Sequence, residues 1–373
     1  MNARTGSLPS YVFCSPKQSR IYAERTEKGS WALLPTEVEW RNRQVYLEER
    51  GYMLRPRYHQ SWSPSWLGTN LDPDFCEDSI LSMYDHVLDA TRSCDGCLVL
   101  IKVVDNGGDE IETARYLSSP ELVRNPANHC VPIMDFFLDP LNSSQTLMVM
   151  PYLRPFDDPE FGTIGEVVDF LKQTLEGLFF MHSHGVAHRD CAAGNIMMDG
   201  RPLYPHGHHP VRLDYAPDAI HDVHPLSRID NPVKYYFIDF GISSRFRDGE
   251  APYVLGTEGR DKDPPELSLH TPYNAFMLDM YVLGNVYQKE FLDKYHGLEF
   301  LQPLVSSMLQ DQPEGRPTAE AANMAFQKIR LSLNDSILRW RLRSRFESAP
   351  ERVVYDTLAV AKEGIYHLKR LLK

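Results

Sequence analysis

The sequence predicts an α+β fold in two lobes, a small β-rich one followed by a larger helical one. Three observations predict it: short runs of β-forming residues bounded by turns fill residues 84–151, an apolar helical period takes over after about residue 155, and the length suits such a pair. At roughly 100–200 residues per domain, 373 residues make two or three domains or one large bilobal one. A composition of 42% hydrophobic, 11% aromatic and 24% charged residues excludes fibrous and disordered classes. A net charge of −12 repels nucleic acid and anionic lipid. No apolar run approaches the roughly 18 residues of a membrane span, and the opening MNARTGSLPSYVF lacks the apolar core of a signal peptide. These features predict an intracellular protein, cytoplasmic or nuclear, with no membrane span and no nucleic-acid partner. Six scattered cysteines fit reduced thiols better than a disulfide framework.

Taken in order, residues 1–75 mix Trp, Pro, Arg and Tyr without a period and read as an irregular extension, of which 1–45 precede the main domain. HVLDATR and CLVLIKVV then make a β-hairpin around Cys94-Asp95-Gly96-Cys97. Asp95-Gly96 suits a type I′ turn, and no second CxxC completes a zinc site. Asp109 to Leu117 reads as a helix, and VPIMDFFLD and TLMVMPYL as strands on either side of Asn142-Ser143-Ser144. Ile164, Val167, Val168, Leu171, Leu175, Leu178 and Phe179 share a helical face opened by Thr163, with Glu166 three residues on as a capping box. Further helices are expected near 272–292, 317–331 and 351–372. The last carries a stripe of Val354, Leu358, Ala361, Ile365, Leu368 and Leu372. The basic segments LRWRLRSRF and YHLKRLLK read as helix packed on its own lobe rather than as a membrane or calmodulin-like contact. No internal repeat is present.

The chemistry concentrates in GVAHRDCAAGNIMMD. There His188, Arg189, Asp190 and Asn195 stand as H-R-D-x-x-x-x-N, the catalytic-loop signature of protein kinases. Four fixed positions at about one in twenty each occur by chance at roughly 10⁻⁵ per starting point. Asp190 would accept the proton of an attacking hydroxyl, and Asn195 would offer a neutral oxygen to Mg²⁺. Downstream, YYFIDFGISS places Asp239, Phe240 and Gly241 after a β-rich run, with Asp239 as a second magnesium ligand. In LVLIKVV, alternation sets Lys102 on the face of Leu98, Leu100 and Val104, where an ammonium needs an anionic partner. Glu110 or Glu112 could supply it; Glu110, seven before Leu117 and so on one helical face with it, is preferred. The pair would hold the α- and β-phosphates.

With these motifs in this order, the chain resembles the eukaryotic protein kinase superfamily over about 45–330, and most closely the protein-kinase-domain proteins of mushroom-forming basidiomycete fungi. The resemblance implies a bilobal kinase-like fold over 46–330, with the small lobe ending near 152, an insertion over 196–238 and a helical extension over 331–373. It implies ATP and Mg²⁺ as cofactors and a protein substrate, with serine or threonine favoured over tyrosine. It further implies that Pro264-Pro265-Glu266 is the A-P-E equivalent, that Asp279 braces the catalytic loop, and that Arg316 pairs with Glu266. MVMPYL becomes the hinge, with Met150 beside the adenine and backbone groups of Pro151 and Leu153 on its edge.

The sequence departs from the family in several places. No G-x-G-x-x-G precedes Lys102, which keeps a catalytically weak pseudokinase or scaffold as the alternative. Ala192 stands where serine/threonine kinases usually carry Lys, and CAAGN is closer to the tyrosine-kinase loop. The insertion holds His206, His208, His209, His221 and His224 without tight ligand spacing and reads as a solvated loop. Ser243, Ser244, Tyr253 and Thr257 are candidate phosphosites for pairing with Arg189.

Overall fold

The computed structural model describes residues 8–371, with side-chain surroundings through 361. In chain order its elements are α1 (Pro16–Glu27), α2 (Pro35–Glu49), β1 (Tyr52–Met53), β2 (Val87–Arg92), β3 (Leu98–Asp105), α3 (Glu110–Leu117), β4 (Asp135–Leu138), β5 (Gln145–Pro151), β6 (Arg154–Pro155) and α4 (Ile164–Ser183). There follow β7 (Val186–Ala187), β8 (Ile196–Met198), β9 (Tyr235–Phe237), β10 (Ser244–Arg245), β11 (Tyr253–Gly256), β12 (Ser268–Asn274), α5 (Ala275–Tyr287), α6 (Gln302–Met308), α7 (Ala319–Ser332), α8 (Asp335–Arg339) and α9 (Ala349–Leu371). The class is α+β, as expected. No helix among the described residues is long and apolar enough to cross a membrane.

The chain divides into two compact units, one of residues 1–107, 133–152 and 204–225, the other of 108–132, 153–203 and 226–373. The first holds an antiparallel sheet in the order β1-β2-β3-β5-β4. Val99 and Ile101 of β3 and Leu147 and Val149 of β5 bury one face against Trp40 and Leu47 of α2. Each such side chain contributes about 1.5–3 kcal/mol on burial. α1 and α2 correct the expectation of an irregular start, and α2 runs across the boundary expected at residue 45. Ser15 caps α1 through Gln18 N–H at 3.2 Å, with Pro16 at the first helical position. α2 opens on Pro35, with Glu37 accepting from Leu34 N–H at 2.9 Å.

The hairpin forms where expected, but its turn is not type I′. Only Gly96 takes a positive φ, +70°, and its N–H reaches Arg92 O at 2.8 Å, so the loop is wider than two residues. The Arg92 side chain pairs with Asp95 across it. Residues 204–225 belong to the first unit, and the solvated-loop expectation holds for His206, His221 and His224, which are exposed, but not for His209. His209 is 1% exposed, its Nδ1 accepts from Val211 and Arg212 N–H, and its Nε2 lies 3.5 Å from Glu77.

The second unit is built on α4, whose apolar face of Val167, Val168, Phe170, Leu171, Leu175 and Leu178 is buried. Thr163 caps it by accepting from Glu166 N–H at 3.3 Å. The expected reciprocal bond is displaced: Glu166 accepts from Gly162 N–H at 2.6 Å and from Ile229 N–H at 3.1 Å rather than from Thr163. The expected packing of the last helix is corrected too, because Val354, Leu358 and their neighbours Val353, Tyr355 and Val360 are at least half exposed. Ile365, Leu368, Leu372 and the YHLKRLLK segment lie outside the described side chains.

Candidate active site

The H-R-D segment leaves β7 and ends on a short turn, Ala193–Asn195, that leads into β8. Such a loop needs its backbone donors satisfied from elsewhere. Asp279, fully buried on α5, does this: its carboxylate accepts from His188 N–H at 2.8 Å and from Arg189 N–H at 2.6 Å. The His182 ring adds a third contact to it at 2.9 Å. The brace expected of Asp279 is thus a set of three hydrogen bonds to the loop and the His182 ring. His188 is wholly buried, its Nε2 lies 3.0 Å from Ile238 O and its Nδ1 accepts from Asp190 N–H. Burial pushes its pKa down, so the ring stays neutral.

Asp190 and Asn195 come together at the centre. Asn195 Nδ2 donates to Asp190 O at 2.9 Å and to Asp190 Oδ2 at 2.7 Å. Both amide hydrogens are thereby used, which turns the amide oxygen to the other side. The second carboxylate oxygen of Asp190 accepts from Arg260 N–H at 2.6 Å. Asp190 is only 8% exposed, and burial raises its pKa above the ordinary carboxylate range, against the opposing pull of these bonds.

Asp239 follows β9 and Phe240 is buried beside His188, ring centroids 5.3 Å apart. A Cβ added at Gly241 would meet Asp239 Oδ1 at 3.3 Å and Glu110 Oε2 at 3.5 Å, so both carboxylates flank this glycine. Glu110 is buried and Glu112 exposed, which separates the two acids that the sequence left as alternatives. Arg189 and Asp239 both take φ +64°, a left-handed conformation that costs a non-glycine residue about 1–3 kcal/mol and clusters at functional sites. Asn195 and Asp239 offer an amide oxygen and a carboxylate, hard donors of the kind magnesium takes. Among the described residues no group of three or more His, Cys, Asp or Glu gathers to hold a metal.

The remaining predicted residues sit in the first unit, save Leu153, which is half-buried in the second. Lys102 stands on β3 opposite Val87 and Met148, half-buried, on the face of Leu98, Leu100 and Val104 and away from the buried Val99 and Ile101. Met150 is buried on β5 opposite Leu100, and Pro151 ends that strand opposite Val99.

Arg316 forks onto Glu266 at 2.5 and 2.8 Å, as expected. Of the candidate phosphosites, Ser243 is 5% exposed and its hydroxyl donates to His188 O, which takes it out of that role. Arg189 donates to Ile242 O, to Ser244 Oγ at 3.3 Å and to Leu255 O at 2.9 Å, so it ties the loop to the segment downstream. Sequence reasoning missed Gly259 and Arg260. A Cβ at Gly259 would come within 2.9 Å of Arg189 O and 3.4 Å of Asp190 Oδ1. The one sign the sequence held is a glycine directly before an arginine within the segment between Asp239 and Glu266.

No protein-family model matches this chain, and no curated protein matches it. Function is therefore inferred from the geometry of the site.

Proposed function

We propose that this chain is an ATP-dependent protein kinase, of the two-lobed kinase-like fold, that transfers the γ-phosphoryl group of ATP to a serine or threonine hydroxyl of a protein. The observation that carries the proposal is the Asp190–Asn195 pair on a loop whose two preceding N–H groups are fixed by Asp279. In phosphoryl transfer the protein has little covalent work; it positions groups and neutralises charge. The acceptor oxygen bonds to phosphorus while the bond from phosphorus to the β,γ-bridging oxygen breaks, and the electron pair leaves with ADP. The acceptor's proton passes to the Asp190 carboxylate, which Asn195 and Arg260 N–H hold in place. Asn195 and Asp239 would hold magnesium, which when bound neutralises charge on the phosphates. On this reading Lys102 would serve the α- and β-phosphates, and Met150 and Pro151 the adenine.

One observation favours a second reading, a nucleotide-weak scaffold of the same fold. Where a glycine-rich hairpin would join β1 to β2, residues 54–86 make a long folded excursion, pinned by Arg55 on Asp89 and Arg57 on Glu37. The test is transfer of labelled γ-phosphate from Mg·ATP by the full chain, onto itself and a generic protein acceptor, beside Asp190→Asn. Transfer lost in that variant supports the kinase. No transfer, together with no nucleotide-induced rise in Tm, overturns it in favour of the scaffold.

A further inference from the structure

Between Asp190 and Asn195 the loop reads Cys191, Ala192, Ala193, Gly194 and carries no positive charge. The reaction proposed above nevertheless brings a phosphoryl group with three anionic oxygens against a carboxylate of the same sign. At a few Å in a partly buried site such repulsion is strong, and it needs a cation beside it.

Arg260 is placed to be that cation. Its backbone N–H holds Asp190 Oδ1 at 2.6 Å, and its guanidinium Nε lies 3.7 Å from Asp190 Oδ2. The same guanidinium spreads over Gly194, where an added Cβ would stand 3.3 Å from one terminal nitrogen and 3.6 Å from Cζ. With no side chain at 194, the guanidinium from another segment lies directly against the loop. The Arg260 side chain is 60% exposed, so it is not consumed by a buried network, and an exposed pair of this length adds little to stability. Backbone and side chain of one residue thus fix both the carboxylate and the distance of a cation from it.

We propose that Arg260 is a catalytic residue that contacts the transferred phosphoryl group and neutralises its charge as the group passes from ADP to the acceptor oxygen. This rests on the kinase reading above. In the step, the bond from phosphorus to the acceptor oxygen forms, the bond to the ADP oxygen breaks with its electron pair, and the acceptor proton goes to Asp190. The Arg260 N–H groups donate to the equatorial oxygens throughout. A planar fork of donors suits these oxygens, as arginine does in other phosphoryl transfers.

The experiment compares the full chain with Arg260→Ala and Arg260→Lys in the labelled transfer assay, with ATP varied and with ethylguanidinium added. Arg260→Ala is expected to lower kcat by roughly 10²–10³-fold, with KM for ATP within about twofold. Arg260→Lys should keep part of that rate, and ethylguanidinium should raise the rate of Arg260→Ala but not of the parent. Tm should be the same in all three. A kcat for Arg260→Ala within about threefold of the parent, or above it, overturns the proposal, the second case making Arg260 a plug over Asp190. A loss restored neither by Lys nor by ethylguanidinium also overturns it, in favour of a structural role. A parent with no Asp190-dependent transfer removes the kinase reading and this one together, whereas transfer by the parent with Arg260→Ala unaffected removes this one alone.

Discussion

Asp279 in the second unit and Asp78 in the first are both buried carboxylates, each held by three nitrogen or hydroxyl partners. Asp279 takes the N–H groups of His188 and Arg189 and the His182 ring. Asp78 takes the Trp62 indole N–H at 2.9 Å, the Ser65 N–H at 2.9 Å and the Ser65 hydroxyl at 2.6 Å. Their local chemistry is alike; what differs is where the donors lead. Two of those of Asp279 come from the residues immediately before Asp190, one of them Arg189 with its left-handed backbone, so the brace fixes the loop that carries the Asp190 carboxylate. Those of Asp78 close a loop that, on the described bonds, holds only the first unit. A satisfied buried acid thus reveals a fixed loop, and only the neighbouring residues tell what the loop is for.

The largest effect is expected where a charge, not a donor, is stranded. Arg57 is 0% exposed and forks onto Glu37, so Arg57→Met should lower the unfolding free energy in a denaturant titration by about 3–5 kcal/mol. Adding Glu37→Leu should return most of it, and a double variant no better than the single one would mean that packing, not the stranded carboxylate, sets the cost. Next, Asp279→Asn turns its amide hydrogens toward one of the two backbone N–H groups and should lower kcat for transfer by about 100-fold. Asp78→Asn should cost about 1–3 kcal/mol in the same denaturant titration and leave kcat within about twofold. Equal loss of transfer in both would break the contrast between the two loops. The smallest effect is one of pH. Because burial raises the Asp190 pKa, and the base must be ionised, transfer should be full above that raised value and fall as pH drops through it. The acid limb of kcat should therefore lie above the value of about 4 of an unperturbed carboxyl; a limb at or below 4 would contradict the burial of Asp190.

The strands of the hairpin, α3, α4 and α7 were legible because their apolar residues repeat with period 2 or 3.6. α2 was not, because its buried face is Glu37, Trp40, Arg43, Gln44 and Leu47, a helical spacing written mostly in polar letters. Those letters are satisfied by distant partners, Arg57 for Glu37 and Asp139 for Arg43, which no local pattern reveals. Ser15-Pro16 and Pro35 were the readable signs of the two missed helices. At the site, Asp190 and Asn195 follow from a fixed spacing and Asp279 and the Glu266–Arg316 pair from the resemblance that spacing carries, whereas Arg260 depends on a fold-back of 70 residues. His209 hid for the same reason: it is buried beside Glu77, far away in sequence.

The division of the chain carries one more consequence. The backbone passes from one unit to the other between 107 and 108, 132 and 133, 152 and 153, 203 and 204, and 225 and 226. A single proteolytic cut at any of these junctions leaves the halves joined by the other four, so neither unit can be released, swapped or expressed as one continuous fragment.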